Sequence, residues 1–299
     1  MEPVERKCSV CESTDISTAY DMGDYRVLKC AGCGLHFVDV PYKETSIKDM
    51  DYYWAEDIYK NEEESIGGWV EKELDKIERY EKGGKLLDLG CSFGYLIERA
   101  SARGWEVAGI EISRKVVEKY LKDRAGTLNV FNGTLEEAGY ADGEFDVVTM
   151  FDVIEHLENP AGTIDEVGRV LRPGGLLVVE TPREESLFKL VAHCLFKVFG
   201  RRAGFLIRSA YNPHPGGHRF GFTHRSVEHL LDGKGFRIEK IEKRMMPVQM
   251  FLRASMGGNR NVVVKTLYTS AGLVLWLASA ALGMQNRMVV YSRKRESNR

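Results

Sequence analysis

The sequence predicts an α/β fold: a largely parallel sheet with helices on both faces, preceded by a small cysteine-rich ribbon. Three observations carry this. From Lys85 onward, short apolar runs alternate with amphipathic helical stretches. The first of those runs breaks into a glycine turn that opens a helix. Ahead of them, two Cys-x-x-Cys knuckles stand within the first 40 residues.

The knuckles come first. Cys8 and Cys11 are separated from Cys30 and Cys33 by eighteen residues, so two tight turns can bring four thiolates together tetrahedrally on Zn²⁺. Gly32 and Gly34 flank Cys33 and ease the second turn. With every position filled by protein, the predicted zinc is structural; iron in the same four-sulfur set is the lesser alternative. A ribbon of residues 1–40 buries little apolar surface, so the metal is expected to supply its stability. Cys91 and Cys194 have no partners in sequence and read as small, at least partly buried side chains.

Residues 41–84 form an aromatic and acidic linker (Tyr52, Tyr53, Trp54, Tyr59, Trp69) ending in a helix near Trp69–Tyr80. The third segment, 85–299, carries the predicted strands Leu86–Leu89, Glu106–Ile110, Asn129–Phe131, Phe145–Phe151, Gly175–Glu180, Phe236–Glu242 and Met288–Ser292. Helical insertions are expected at about 186–210 and 262–284. After Leu89 the chain turns through Gly90, Ser92 and Gly94 into the helical Tyr95–Arg103, where free N–H groups and missing side chains admit a ligand. Glu111, twenty-one residues after Gly90, closes the second strand and can accept both hydroxyls of a ribose. Asp88 stands just before the turn. A carboxylate there opposes a pyrophosphate and suits the cationic amino-acid end of S-adenosyl-L-methionine (SAM), which argues against a dinucleotide.

These residues resemble the first motif of the class I SAM-dependent methyltransferases, with Ser92 in place of the middle glycine. The match runs from about Lys85 to Leu177 and more loosely to Arg295. It implies a Rossmann-like sheet and SAM as cofactor, with Asp88, Gly90, Ser92, Gly94 and Glu111 around it. Thr134 or Leu135 would lie nearest the adenine. The stretch Phe145–His156, FDVVTMFDVIEH, resembles the fourth strand and acid–His pair of the ubiquinone-biosynthesis-like branch. By that resemblance Phe151 and Asp152 line the cofactor and His156 faces the methyl donor. The ribbon ahead of such a domain resembles bacterial-type methyltransferases of sugars, cell-surface glycans and related small molecules.

Methyl transfer from a sulfonium is an in-line displacement, so the protein aligns the partners and adds a base if the acceptor is a hydroxyl. His156 and His218 are the candidate bases. His218 and His224 belong to a glycine- and histidine-rich loop from Pro213 to His224, which is expected to act as a lid over the acceptor. His156 can equally be a hydrogen-bonding strut, and Thr223 can simply cap a helix starting near Ser226. His193 reads as solvated on a helix face.

The chain of 299 residues is 43% hydrophobic and 29% charged with a formal charge of −2, which does not favour a nucleic-acid partner. No apolar segment follows the polar Met1–Lys7, so a cytoplasmic location is expected. Two apolar stretches qualify this. Leu187–Phe199 sets apolar residues opposite a stripe of Lys189, His193, Lys197 and Arg201, with no acid between Ser186 and Ala210. Thr266–Met284 carries no charge, near the length of a bilayer span, yet Met288–Ser292 must rejoin the sheet beyond it. Peripheral docking on an anionic membrane at the inner face is the expectation, with packing on the domain or a homodimer interface as the competing covers. The leading function is O-methylation of a sugar, glycan or lipid-linked small molecule. A zinc-ribbon RNA methyltransferase and a non-catalytic SAM-fold binding module are the alternatives.

Overall fold

Strand alternation on both faces of one sheet organises the chain. The computed structural model describes residues 7–40, 63–122, 128–214, 216–248 and 262–296; the linker residues Tyr52, Tyr53, Trp54 and Tyr59 lie outside them. The N-terminal strands are β1 (Ile16–Asp21), β2 (Arg26–Cys30) and β3 (His36–Val38). The main sheet comprises β4 (Lys85–Leu89), β5 (Glu106–Glu111), β6 (Asn129–Asn132), β7 (Phe145–Phe151), β8 (Leu171–Pro182), β10 (Phe236–Arg244) and β11 (Arg287–Lys294), in the order β10-β11-β8-β7-β4-β5-β6. All seven predicted strands are present. Pairing is parallel from β8 to β6, while β11 runs antiparallel between β8 and β10.

The central strands bury both faces, as parallel strands under helices must. Leu87, Leu89, Val148, Met150, Leu177 and Val179 face one core, shared with Ile164 and Val167 of α5 (Pro160–Val170) and with Val227 and Leu230 of α8 (His224–Gly233). The alternate residues Leu86, Val147, Leu176 and Val178 face the other, with Val70 and Leu74 of α1 (Glu63–Ile77) and with Leu96 and Ile97 of α2 (Tyr95–Ala102). Each such side chain contributes about 1.5–3 kcal/mol on burial. The helices α3 (Arg114–Val116) and α4 (Leu135–Ala138) are short.

The insertion after β8 forms α6 (Leu187–Phe199) and α7 (Gly204–Ala210), and α9 (Val262–Ala281) packs on α6. A third core joins Tyr20, Met22, Tyr25, Val27 and Val38 of the ribbon to Ala192, Ile207 and Tyr211 of this insertion. The ribbon sheet gains its fourth strand from β9 (Phe220–Gly221), which pairs antiparallel with β3. The ribbon therefore does not stand apart; its sheet and core are completed by residues beyond 186.

Two side-chain expectations are corrected here. The first half of the stripe on α6 turns inward, the second half outward: the Lys189 ammonium lies 3.0 Å from Glu184 and 3.7 Å from the Tyr211 ring centroid, and His193 bonds Tyr20 at 3.2 Å, whereas Lys197 and Arg201 are exposed. The buried Glu184 supplies the countercharge that draws Lys189 inward. Of the apolar residues of α6, Val191 faces α9 while Leu190, Val198 and Phe199 are exposed. Cys91 is buried as expected, but Cys194 is exposed.

Candidate functional site

The sheet's direction of winding changes at β4, where β5 lies to one side and β7 to the other. Loops leaving the carboxyl ends of β4 and β7 diverge there and open a crevice, the place where such sheets bind ligands. Gly90, at φ +77°, makes the turn after β4; a Cβ there would meet Val153 Cγ2 at 2.5 Å, so only glycine lets the two loops approach. Ser92 and Asp152 also take left-handed backbone conformations, at φ +48° and +57°. Strained backbone in both loops is the sort of feature that clusters at functional sites.

Two carboxylates underlie the loops. Asp88 is buried and accepts a hydrogen bond from Thr149 Oγ1 at 2.6 Å. Burial pushes its pKa up to about 7 against that bond, with Glu111 nearby adding to the rise. Glu111 Oε2 accepts from the Ser92 amide at 3.0 Å and Oε1 from the Ser113 amide at 2.7 Å. Burial raises its pKa and these amide bonds lower it. Each oxygen keeps a lone pair beyond its amide bond, which fits acceptance of ribose hydroxyls. Thr134 caps α4 in a capping box with Glu137, and Leu135 is buried in the core, so the start of α4 is fixed on both sides. Phe151 packs edge-on against Trp69, ring centroids 5.0 Å apart, and Asp152 pairs with Arg287.

The acid–His pair closes the end of β7. Glu155 is fully buried; Oε2 accepts from Thr181 Oγ1 at 3.0 Å, while Oε1 has no partner. Burial pushes its pKa to about 8. His156 Nδ1 lies 3.0 Å from the Gly217 carbonyl, which can only accept, so Nδ1 carries the proton and a neutral ring leaves Nε2 as a base. The His218 ring lies 4.8 Å from that of His156, and burial lowers the pKa of both, His218 strongly. Glu155, His156 and His218 each bring one donor atom within 4.8 Å of the others. Such a group can share protons among its members or hold one divalent cation. The structure thus brings the two predicted histidines together. The reading from residues left Glu155 unassigned, although it sits inside the quoted motif. Trp69 was read only as part of the aromatic linker and its helix, and Arg287 gave no signal in sequence.

Residues 217–220 of the Pro213–His224 segment are bonded to their surroundings through the backbone. Arg219 and Phe220 amides both bond the Glu155 carbonyl, at 2.8 and 3.1 Å, and the Asn212 amide bonds the His218 carbonyl. Thr223 caps α8, as its position suggested.

The four ribbon cysteines converge as their spacing predicts. Cys8 Sγ lies 3.6 Å from Cys33 Sγ and Cys11 Sγ 3.5 Å from Cys30 Sγ, with all four sulfurs within 4.8 Å. Disulfides require about 2.05 Å, whereas thiolates about 2.3 Å from one tetrahedral ion sit roughly this far apart. The Cys33 hydrogen bond lowers the Cys8 pKa to about 5, and the same contact raises that of Cys33. One cation would resolve the conflict by stabilising all four thiolates.

Comparison with known proteins fits this geometry. Residues 60–241 match a family described as a methyltransferase domain. A ubiquinone biosynthesis O-methyltransferase from Aromatoleum aromaticum is 35% identical over 114 residues, covering 36% of this chain and 49% of that protein. One from Dechloromonas aromatica is 35% identical over 103 residues, covering 33% and 44%. The chain thus spans about half the length of the curated relatives it matches. A SAM-dependent methyltransferase structure from Archaeoglobus fulgidus aligns with a TM-score of 0.53 at 19% identity, covering 82% of this chain and 100% of that one. A geranyl diphosphate methyltransferase solved with SAM gives 0.51 at 11%, covering 76% and 85%. Among the described residues, no helix is long and apolar enough to cross a membrane.

Proposed function

Since the chain belongs to the methyltransferase-domain family, we propose that it transfers the methyl group of SAM to a hydroxyl of a small acceptor. The observation that carries this is the neutral His156–His218 pair at the carboxyl end of β7, one loop away from Gly90. When bound, SAM supplies an electrophilic methyl on a sulfonium. Gly90, Ser92 and Gly94 let the backbone close around the cofactor, Glu111 takes its ribose, and Asp88 faces its ammonium end. His156 Nε2 removes the acceptor's hydroxyl proton while Gly217 holds Nδ1–H. His218 and the protonated Glu155 line the same side and exclude water. The curated relatives, named O-methyltransferases, support oxygen as the acceptor atom. The four ribbon cysteines hold one structural zinc.

We infer further that the acceptor is lipid-linked and met at an anionic membrane surface. Val198, Phe199 and Phe205 are 73, 56 and 55% exposed, and Val274, Leu277 and Leu282 of the α9 side add 67, 54 and 64%. An apolar patch of this kind is uncommon on a monomer's surface. Lys197, Arg201 and Arg202 are interleaved with it, giving the basic–aromatic mixture that suits anionic headgroups. The decisive experiment incubates protein and labelled SAM with catechol, free-sugar, polyprenyl-linked sugar and RNA acceptors. Label on the lipid-linked hydroxyl supports the reading, and label on RNA alone overturns it.

A further inference from the structure

We propose that the four-cysteine ribbon is a positioning element of the methyl-transfer site, holding His218 against His156 through strand β9. The inference rests on the reading of these histidines as the methyl-transfer pair. It starts from how residues 217–223 are held. On one side they are bonded to the end of β7: the Arg219 and Phe220 amides share the Glu155 carbonyl, and the Gly217 carbonyl takes His156 Nδ1. On the other side the backbone contacts to residues 219–221 come from the ribbon, while the Asn212 amide bonds the His218 carbonyl and Phe222 is held by Arg183 and the Glu184 amide. β3 pairs with β9 through His36–Gly221 and Phe37–Phe220. The Val38 amide donates to the Arg219 carbonyl at 2.9 Å, and Arg219 returns a bond from its guanidinium to the Val40 carbonyl at 2.6 Å.

Two more contacts tie this strap to the cysteines. Thr223 Oγ1 donates to the carbonyl of Cys33 at 3.0 Å, so the cap of α8 is fastened to a knuckle residue. Gly221 has no side chain because a Cβ there would meet Glu184 Oε2 at 2.5 Å. That carboxylate is held by Lys189 at 3.0 Å and by Tyr211, and the ribbon's His36 lies 3.9 Å away. A two-residue strand cannot hold itself in place; it is stable only while both neighbours are ordered. The ribbon in turn is ordered by its cysteines. Order at the knuckles therefore passes by direct backbone bonds to Arg219 and Phe220, next in the chain to His218, while Gly90, Asp88 and Glu111 hang on the main sheet.

The test uses the full chain labelled at its histidine rings. Val38→Pro deletes the amide that β3 offers to Arg219 and leaves the cysteines untouched. The expected result is loss of the ring-proton contact between His156 and His218. Exchange of the Arg219 and Phe220 amides should be about tenfold or more faster, with SAM affinity unchanged. If the variant also loses its zinc, the ribbon itself has opened, and the same losses are expected. Wild-type protein stripped of metal under native conditions provides the second arm: the contact should vanish and return when Zn²⁺ is restored. Retention of the His156–His218 contact and of amide protection in both arms overturns the proposal. A mistaken methyl-transfer pair shows itself differently, as unaltered turnover of the labelled acceptor by His156→Ala and His218→Ala.

Discussion

Replacing Glu111 by alanine separates cofactor recognition from loop stability. The carboxylate accepts the Ser92 amide at 3.0 Å and the Ser113 amide at 2.7 Å, and is buried. Truncation strands two donors, each costing about 1–3 kcal/mol where water cannot reach. It also removes a charge-assisted acceptor for the ribose, about 1.5–3 kcal/mol per bond. The two losses appear in different assays. Thermal unfolding without cofactor reads the first, and calorimetric titration with SAM reads the second, where affinity should fall about 10- to 150-fold per lost bond. Glu111→Gln keeps an acceptor for one amide and should lie between wild type and Glu111→Ala in both. A Glu111→Ala protein that unfolds earlier yet binds SAM as tightly as wild type would refute the ribose assignment, leaving Glu111 as a brace for the loop.

Other consequences follow from the same geometry. Burial lifts the Asp88 pKa to about 7, above its unfolded value of about 3.9, so the folded chain holds that proton more firmly. Its contribution to stability is complete below about pH 4 and is lost as pH rises through about 7. The melting temperature of cofactor-free protein should fall between pH 5 and 8, and Asp88→Asn should flatten that slope; an equal slope in the variant contradicts the assignment. SAM affinity should weaken below about pH 7, where Asp88 is protonated and no longer attracts the ammonium, and calorimetry across pH checks it. Elemental analysis should find one zinc per chain, and Cys30→Ser should lose it. Flotation with anionic vesicles should carry the protein upward, and Phe199→Ser with Phe205→Ser should abolish this without altering SAM affinity; a wild-type protein that never floats removes the membrane reading.

How far the sequence anticipates the molecule depends on the range of the interaction. Strand positions are local: Leu86, Val147 and Val178 sit in runs whose hydrophobicity survives any neighbouring context, and all seven strands lie where those runs do. The glycine turn and the cysteine knuckles are equally local, because positive φ and ligand spacing are written in a few consecutive residues. The amphipathic pattern of Leu187–Phe199 is local too, but it reveals two faces without saying what covers each. Glu184, just beyond β8, draws Lys189 inward, and no periodicity reports that. The same holds for β9, whose two residues gain strand character only from β3, and for Arg287, which reaches Asp152 through a late strand inserted beside β8. The candidate bases were legible as residues, and their meeting was not. His156 and His218 come together because the Gly217 carbonyl accepts from the His156 ring and the Glu155 carbonyl accepts the Arg219 and Phe220 amides.

The most direct measurement is a crystal structure of the chain with S-adenosylhomocysteine. The ribose hydroxyls are expected on Glu111 and the homocysteine end over Gly90 near Asp88. The sulfur is expected to point along the end of β7 toward His156 and His218, with the two rings still in contact. A cofactor seated away from the Gly90 turn would contradict this placement, as would a sulfur that faces away from both histidines.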